Sequence, residues 1–190
     1  MTVSRETSYA SYADVLHRWN AAIQLVGPNL SQGDLRSEIT ECLALVPHIP
    51  PTGAIDLGSG NGLPVIPLSI ELPCRPFTAI ESDQRKAAFL NAARRSLGLA
   101  NLTVISDRVE AVAALNAETI TARAFAPLER LIGLARRHLR DGGRLVLLKG
   151  GSVQDEIVAA QVRYTFDYDV IPLRHARGVV LVLEKIELRT

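Results

Sequence analysis

The chain has 190 residues, 47% of them hydrophobic, and a formal net charge of +1. That length favours one domain with a sizeable core, and the balanced charge means that any nucleic-acid surface must be local. No apolar run approaches the ~20 residues of a membrane-spanning helix, and the opening "MTVSRETSYASYADVLHRWN" lacks a signal peptide's apolar segment. Cys42 and Cys74 form neither a C-x-x-C nor a metal-ligand spacing, so a cytoplasmic protein with two reduced, space-filling thiols and no metal is expected.

The first part reads as helical. Tyr12, Val15, Leu16, Trp19 and Ile23 recur at helix spacing, and Leu35, Ile39, Cys42, Leu43 and Val46 do so again before Pro47, Pro50 and Pro51. Both stripes suit packing onto a main domain. Strands then alternate with helices: strand 54–58, helix 64–72, strand 77–81, helix 84–97, strand 102–105 and helix 109–115. The pattern continues with strand 119–123, helix 128–139, strand 144–148 after Asp141-Gly142-Gly143, and helix 153–162. Two apolar runs, 164–171 and 178–184, lie too close for a helical crossover and should pair antiparallel. The expected fold is α/β, a doubly wound, seven-stranded, mostly parallel sheet with a reversed edge strand, preceded by N-terminal helices.

The segment "AIDLGSGNGLPVIPLSI", 54–70, carries the densest signal. Ala54, Ile55 and Leu57 suit a buried strand, and Asp56 falls near its carboxyl end, where open α/β sheets place ligands. Gly58, Gly60 and Gly62 permit a turn with positive φ and close approach of a ligand to the backbone. Pro64 suits the first helical position. A dinucleotide fingerprint would need glycine where Leu63 stands, so a pyrophosphate is disfavoured. Glu81, at the end of the next apolar run, lies at the distance of a carboxylate that holds a ribose hydroxyl pair. A nucleoside ligand follows.

With its terminal hairpin, this order resembles the class I S-adenosylmethionine-dependent methyltransferases. "DLGSGNGLPVIPLSI" (56–70) resembles the glycine loop of the RsmG (GidB) family, which methylates N7 of one guanine in 16S ribosomal RNA. "DRVEAV" (107–112), "RAFAPL" (123–128), "LLKG" (147–150) and "LHRWNAAIQL" (16–25) fall in that family's order and at about its spacing. The resemblance implies one methyltransferase domain over 1–190, with 1–50 a helical extension and 51–190 the cofactor-binding core. It implies S-adenosyl-L-methionine as cofactor and 16S rRNA, or the assembling small subunit, as partner; the sequence leaves the oligomeric state open, a monomer being the favoured reading. The family's cofactor contacts fall on Gly58 and Leu63, on Val109 and Glu110, and on Arg123; Gly60 and Glu81 join them on the physical reading. The family's Arg-His-x-x-Asp-Ser segment is here Ser37-Glu38-Ile39-Thr40-Glu41-Cys42, its Gly-Lys-Arg is Gln84-Arg85-Lys86, and its Arg-His before the last strand is Arg177-Gly178. These departures touch the RNA contact and not the cofactor.

Guanine N7 has an in-plane lone pair, so its methylation needs alignment rather than a general base, and no catalytic acid or base is expected. His17, His48, His138 and His175 read as surface or capping groups. From 121 to 150 seven basic residues (Arg123, Arg130, Arg136, Arg137, Arg140, Arg144 and Lys149) face two acidic ones. This is a candidate RNA footprint, with Phe125 the best-placed base-stacking residue.

Overall fold

The computed structural model describes residues 4–27, 31–174 and 178–189. The strands are β1 (Ala54–Leu57), β2 (Phe77–Ile80), β3 (Leu102–Ile105), β4 (Ala117–Arg123), β5 (Leu139–Lys149), β6 (Tyr164–Pro172) and β7 (Val179–Leu188). They form one sheet in the order β3-β2-β1-β4-β5-β7-β6. Neighbours are parallel from β3 to β5, and the reversed strand β7 lies between β5 and the edge strand β6. This is the expected doubly wound α/β sheet. Its chain order reverses between β1 and β4, where such sheets open a crevice at the strands' carboxyl ends.

Six α-helices cover the described sheet: α1 (Arg5–Asn20), α2 (Gln32–Leu43), α3 (Val65–Glu71), α4 (Gln84–Ser96), α5 (Leu128–Ala135) and α6 (Val153–Gln161). Their starts follow local chemistry. Ser31 and Asp34 close a reciprocal capping box on α2, and the Asp83 side chain accepts from the Arg85 and Lys86 N–H groups on α4. Helix α3 begins one residue later than its proline suggests, with Pro64 as the cap.

Alternation along β1 divides the core. Ala54 joins the layer under α1 to α4, while Ile55 and Leu57 join the layer that includes α5 and α6. The stripe on α1 packs as expected, with Tyr12, Val15 and Leu16 buried and Trp19 edge-on to Phe89 of α4 at 6.1 Å. Ile23 lies past the helix end, half-buried against the same core.

The clearest departures from the expected elements follow α5 and β3. Helix α5 stops at Ala135, and β5 begins at Leu139. Leu139 pairs with Ala117 and Arg144 with Thr119, so Asp141-Gly142-Gly143 is a bulge inside the strand rather than a turn before it. The expected helix 109–115 is a single turn, in which Ala111 and Val112 N–H donate to the Arg108 carbonyl. Among the described residues, no helix is long and apolar enough to cross a membrane.

Candidate functional site

After Leu57 the chain turns at once. Gly58 and Ser59 N–H donate to the Ile80 carbonyl at 2.9 and 3.2 Å. Gly58 has φ +66°, and a Cβ there would lie 2.1 Å from Cδ2 of Phe125. At Gly62, φ is +90° and a Cβ would meet Ile66 Cδ1 at 2.4 Å. Backbone conformation favours glycine at both positions, and at Gly58 the Phe125 ring also fills the space a side chain would need. The N-terminal helix holds the far side of the loop, where the buried Tyr12 hydroxyl donates to the Asn61 carbonyl at 2.6 Å.

Glu81 ties this loop to α4. One carboxylate oxygen accepts from Gly60 N–H and the other from Asp83 N–H, both at 2.8 Å. Each oxygen keeps a second lone pair for a ligand. Below the loop, Asp56 is buried; Oδ1 accepts from the Thr121 hydroxyl at 2.8 Å. Its Oδ2 has no partner among the described residues. Burial pushes the Asp56 carboxyl up to about 7, against the hydrogen bonds that favour its charged form.

Past β4, Arg123 reaches Glu38 of α2 at 3.2 Å, with both side chains mostly buried. Ala124 has φ +50°, a conformation rare without glycine, and it leads into Phe125. The segment is braced from behind. Lys149 Nζ lies 2.5 Å from Glu156 Oε2 and donates to the Ala126 carbonyl at 3.3 Å, while the same Glu156 oxygen accepts from Leu128 N–H at 2.9 Å.

These segments enclose a cavity of about 470 Å³ at the carboxyl ends of β1 to β4, within the usual range for small-molecule sites. All seven residues named from the sequence line it: Gly58, Gly60, Leu63, Glu81, Val109, Glu110 and Arg123. Phe125, Lys86, Arg108 and Arg130 line it too. Sequence reasoning named the last three only inside longer stretches, Gln84-Arg85-Lys86, "DRVEAV" and the basic run, and not as cavity residues.

Other expectations change. Within the basic run, Arg123, Arg140, Arg144 and Lys149 are paired with Glu38, Glu118, Glu184 and Glu156. Arg136 sits over the Tyr164 ring, and Arg137 donates to the Glu110 carbonyl. The footprint is thus largely spent on the fold: strand pairing sets Arg140 beside Glu118 and Arg144 beside Glu184, and helices α2 and α6 bring Glu38 to Arg123 and Glu156 to Lys149. His138 is fully buried rather than a surface group, with Nε2 3.0 Å from the Val109 carbonyl oxygen. His17 is exposed and His48 half-buried, while His175 and Arg177 lie outside the described residues. Cys42 is buried as expected, whereas Cys74 is exposed and fills no space.

The donor set fits an adenosyl amino acid. Glu81 offers acceptors for ribose hydroxyls, the glycine loop offers backbone at close approach, and the 108–112 turn offers amides. Among the described residues, neither Val109 nor Glu110 N–H donates to another protein group.

The structure resembles a SAM-dependent methyltransferase from Aquifex aeolicus with a TM-score of 0.63 at 11% identity, covering 90% of this chain and 97% of that one. Ribosomal RNA small subunit methyltransferase G of Gluconobacter oxydans is 42% identical over 184 residues, 95% of this chain and 94% of the relative. The enzyme of the same name from Paracoccus denitrificans is 41% identical over 170 residues, 88% of each. The family described as rRNA small subunit methyltransferase G (GidB) matches residues 5–176. Sequence and fold agree, and the chain belongs to the rRNA small subunit methyltransferase G family.

Proposed function

We propose that the chain methylates N7 of a guanine in small-subunit (16S) ribosomal RNA, with S-adenosylmethionine as methyl donor. The observation that carries this reading is the convergence of Gly58, Gly60, Leu63, Glu81, Val109, Glu110 and Arg123 on one cavity, in a chain of this family. When bound, the cofactor supplies a methyl group activated on a sulfonium sulfur.

The protein's part is to bind, orient and exclude water. The glycine loop lets the methionine end approach the backbone, Glu81 takes the ribose, and the Val109 and Glu110 amides meet the adenine. Glu38 holds the Arg123 guanidinium at the wall. No side chain removes a proton, because N7 already carries the attacking lone pair; catalysis is alignment. Lys86, Arg108 and Arg130 line the cavity without an ion pair among the described residues. The cofactor carries one carboxylate and no phosphate, so three such cations exceed what it can pair, and they suit the RNA backbone.

Mapping N7-methylguanine in ribosomal RNA from cells with and without the gene tests the reaction. One modified guanine of the small-subunit RNA should disappear on deletion and return with the wild-type gene. An unchanged map would overturn the assignment.

A further inference from the structure

Of the two amides offered to the cavity, that of Glu110 shares its peptide with the Val109 carbonyl, which is gripped from behind, and the carbonyl of the next peptide, Glu110–Ala111, is gripped as well. In a helix running on past residue 112, the Val109 and Glu110 carbonyls would accept from the N–H groups of Ala113 and Ala114. Here two adjacent side chains just past α5 take their place. His138 Nε2 lies 3.0 Å from the Val109 oxygen, and Arg137 donates to the Glu110 oxygen. A carbonyl only accepts, so His138 Nε2 carries the hydrogen and Nδ1 is the bare nitrogen.

Filling space does not account for this arrangement. His138 is fully buried, and its Nδ1 has no partner among the described residues. A buried nitrogen without a partner costs stability, whereas leucine would fill much the same volume without that cost. What the imidazole adds is one aimed N–H. Its effect, with Arg137, is to stop the helix after one turn and to fix two consecutive peptide planes at the cavity wall.

We propose that Arg137 and His138 are positioning residues for the adenine subsite. His138 holds the Val109–Glu110 peptide and Arg137 the peptide after it, so that the Glu110 N–H meets the acceptor nitrogen N1 of the purine. The inference rests on the reading above, in which this turn receives the adenine of the cofactor. It makes the identity of the base, and not only binding strength, depend on residues outside the cavity.

Calorimetry with S-adenosylhomocysteine and S-inosylhomocysteine tests it, since N1 of the second ligand bears a hydrogen and cannot accept. Wild type should bind the adenosyl ligand at least tenfold more tightly, about the effect of one hydrogen bond that leaves its partner unsatisfied when lost. His138→Leu should lose most of that preference, while His138→Gln, which restores an N–H, should recover it. The turnover rate at saturating cofactor should stay near wild type in both. Arg137 is exposed, so Arg137→Leu should fold whatever happens at 138; it should reduce the preference severalfold, with Arg137→Lys restoring it. An unchanged preference in both leucine variants, or in Arg137→Leu alone should His138→Leu not fold, would overturn the inference. Failure of wild type to bind S-adenosylhomocysteine would instead overturn the cofactor reading beneath it.

Discussion

The ring of Phe125 lies directly on Gly58, so close that a Cβ at residue 58 would be 2.1 Å from ring carbon Cδ2. The contact joins the loop after β1 to the segment after β4, across the point where the sheet's chain order reverses. Gly58→Ala should therefore be costly twice, through about 1–2 kcal/mol of left-handed backbone strain and through collision with the ring. Gly58→Ala should abolish measurable S-adenosylhomocysteine binding and lower the melting temperature. Adding Phe125→Leu should return part of the lost stability but not the backbone term. Thermal melts of the two single variants and the double variant check this, and purely additive effects would mean that the two residues are not coupled.

Removing the carboxylates at the cavity separates binding from chemistry. Glu81→Gln turns one oxygen into an amide that faces the Gly60 or Asp83 N–H, so it should raise the cofactor KM by about tenfold or more, the scale of a lost charge-assisted hydrogen bond. Glu110→Gln, at an exposed side chain, should change it little. The rate at saturating cofactor should stay within about tenfold of wild type in both, because the lost contacts are made in ground and transition states alike. A thousandfold loss at saturation would reveal a general base. Arg123→Ala should cost more than either glutamine variant.

The unpaired cations make a salt-dependent prediction. Arg108→Ala with Arg130→Ala should lower the slope of log K against log salt for RNA binding by about 1.5, since each lost phosphate contact removes roughly 0.7–0.9. Arg140→Ala should leave the slope alone, because Arg140 is engaged with Glu118 at 2.9 Å. Filter binding across a salt series measures both. Equal slopes in wild type and the double variant would remove these cations from the RNA interface.

Asp56 gives stability a pH dependence of defined sign. Its carboxyl is raised from the ordinary 3.8 to about 7, chiefly by burial, so the folded state holds the proton more tightly than the unfolded chain does. The associated stability is complete below about pH 4, declines as pH rises to 7 and is flat above. Asp56→Asn keeps an acceptor for Thr121 and has no charge to bury. It should melt several degrees higher than wild type at pH 8 and near the wild-type temperature at pH 4. A difference that ran the other way with pH would show the carboxylate to be stabilised in its ionised form.

What the sequence by itself determined were features whose causes lie within a few residues. The apolar runs at 54–57, 77–80 and 102–105 act through nearest neighbours along the chain. The glycine loop was legible because Gly58, Gly60, Leu63 and the strand before them are contiguous; spacing named Glu81 and the resemblance named Val109, Glu110 and Arg123, and all of them line one cavity. Only the tertiary structure decided how backbone and charge were satisfied across long separations. Helix 109–115 fails because His138 and Arg137, nearly thirty residues on, supply the hydrogen bonds that Ala113 and Ala114 would have supplied. Strand β5 begins at Leu139 because Ala117 is there to pair with it. The arginines that read as an RNA footprint became parts of the scaffold because folding set Glu38 against Arg123 and Glu118 against Arg140. A helix or a turn is closed by partners a few positions away, which the sequence displays. A carbonyl or a guanidinium takes whichever partner the fold brings within reach, and that choice is made in three dimensions.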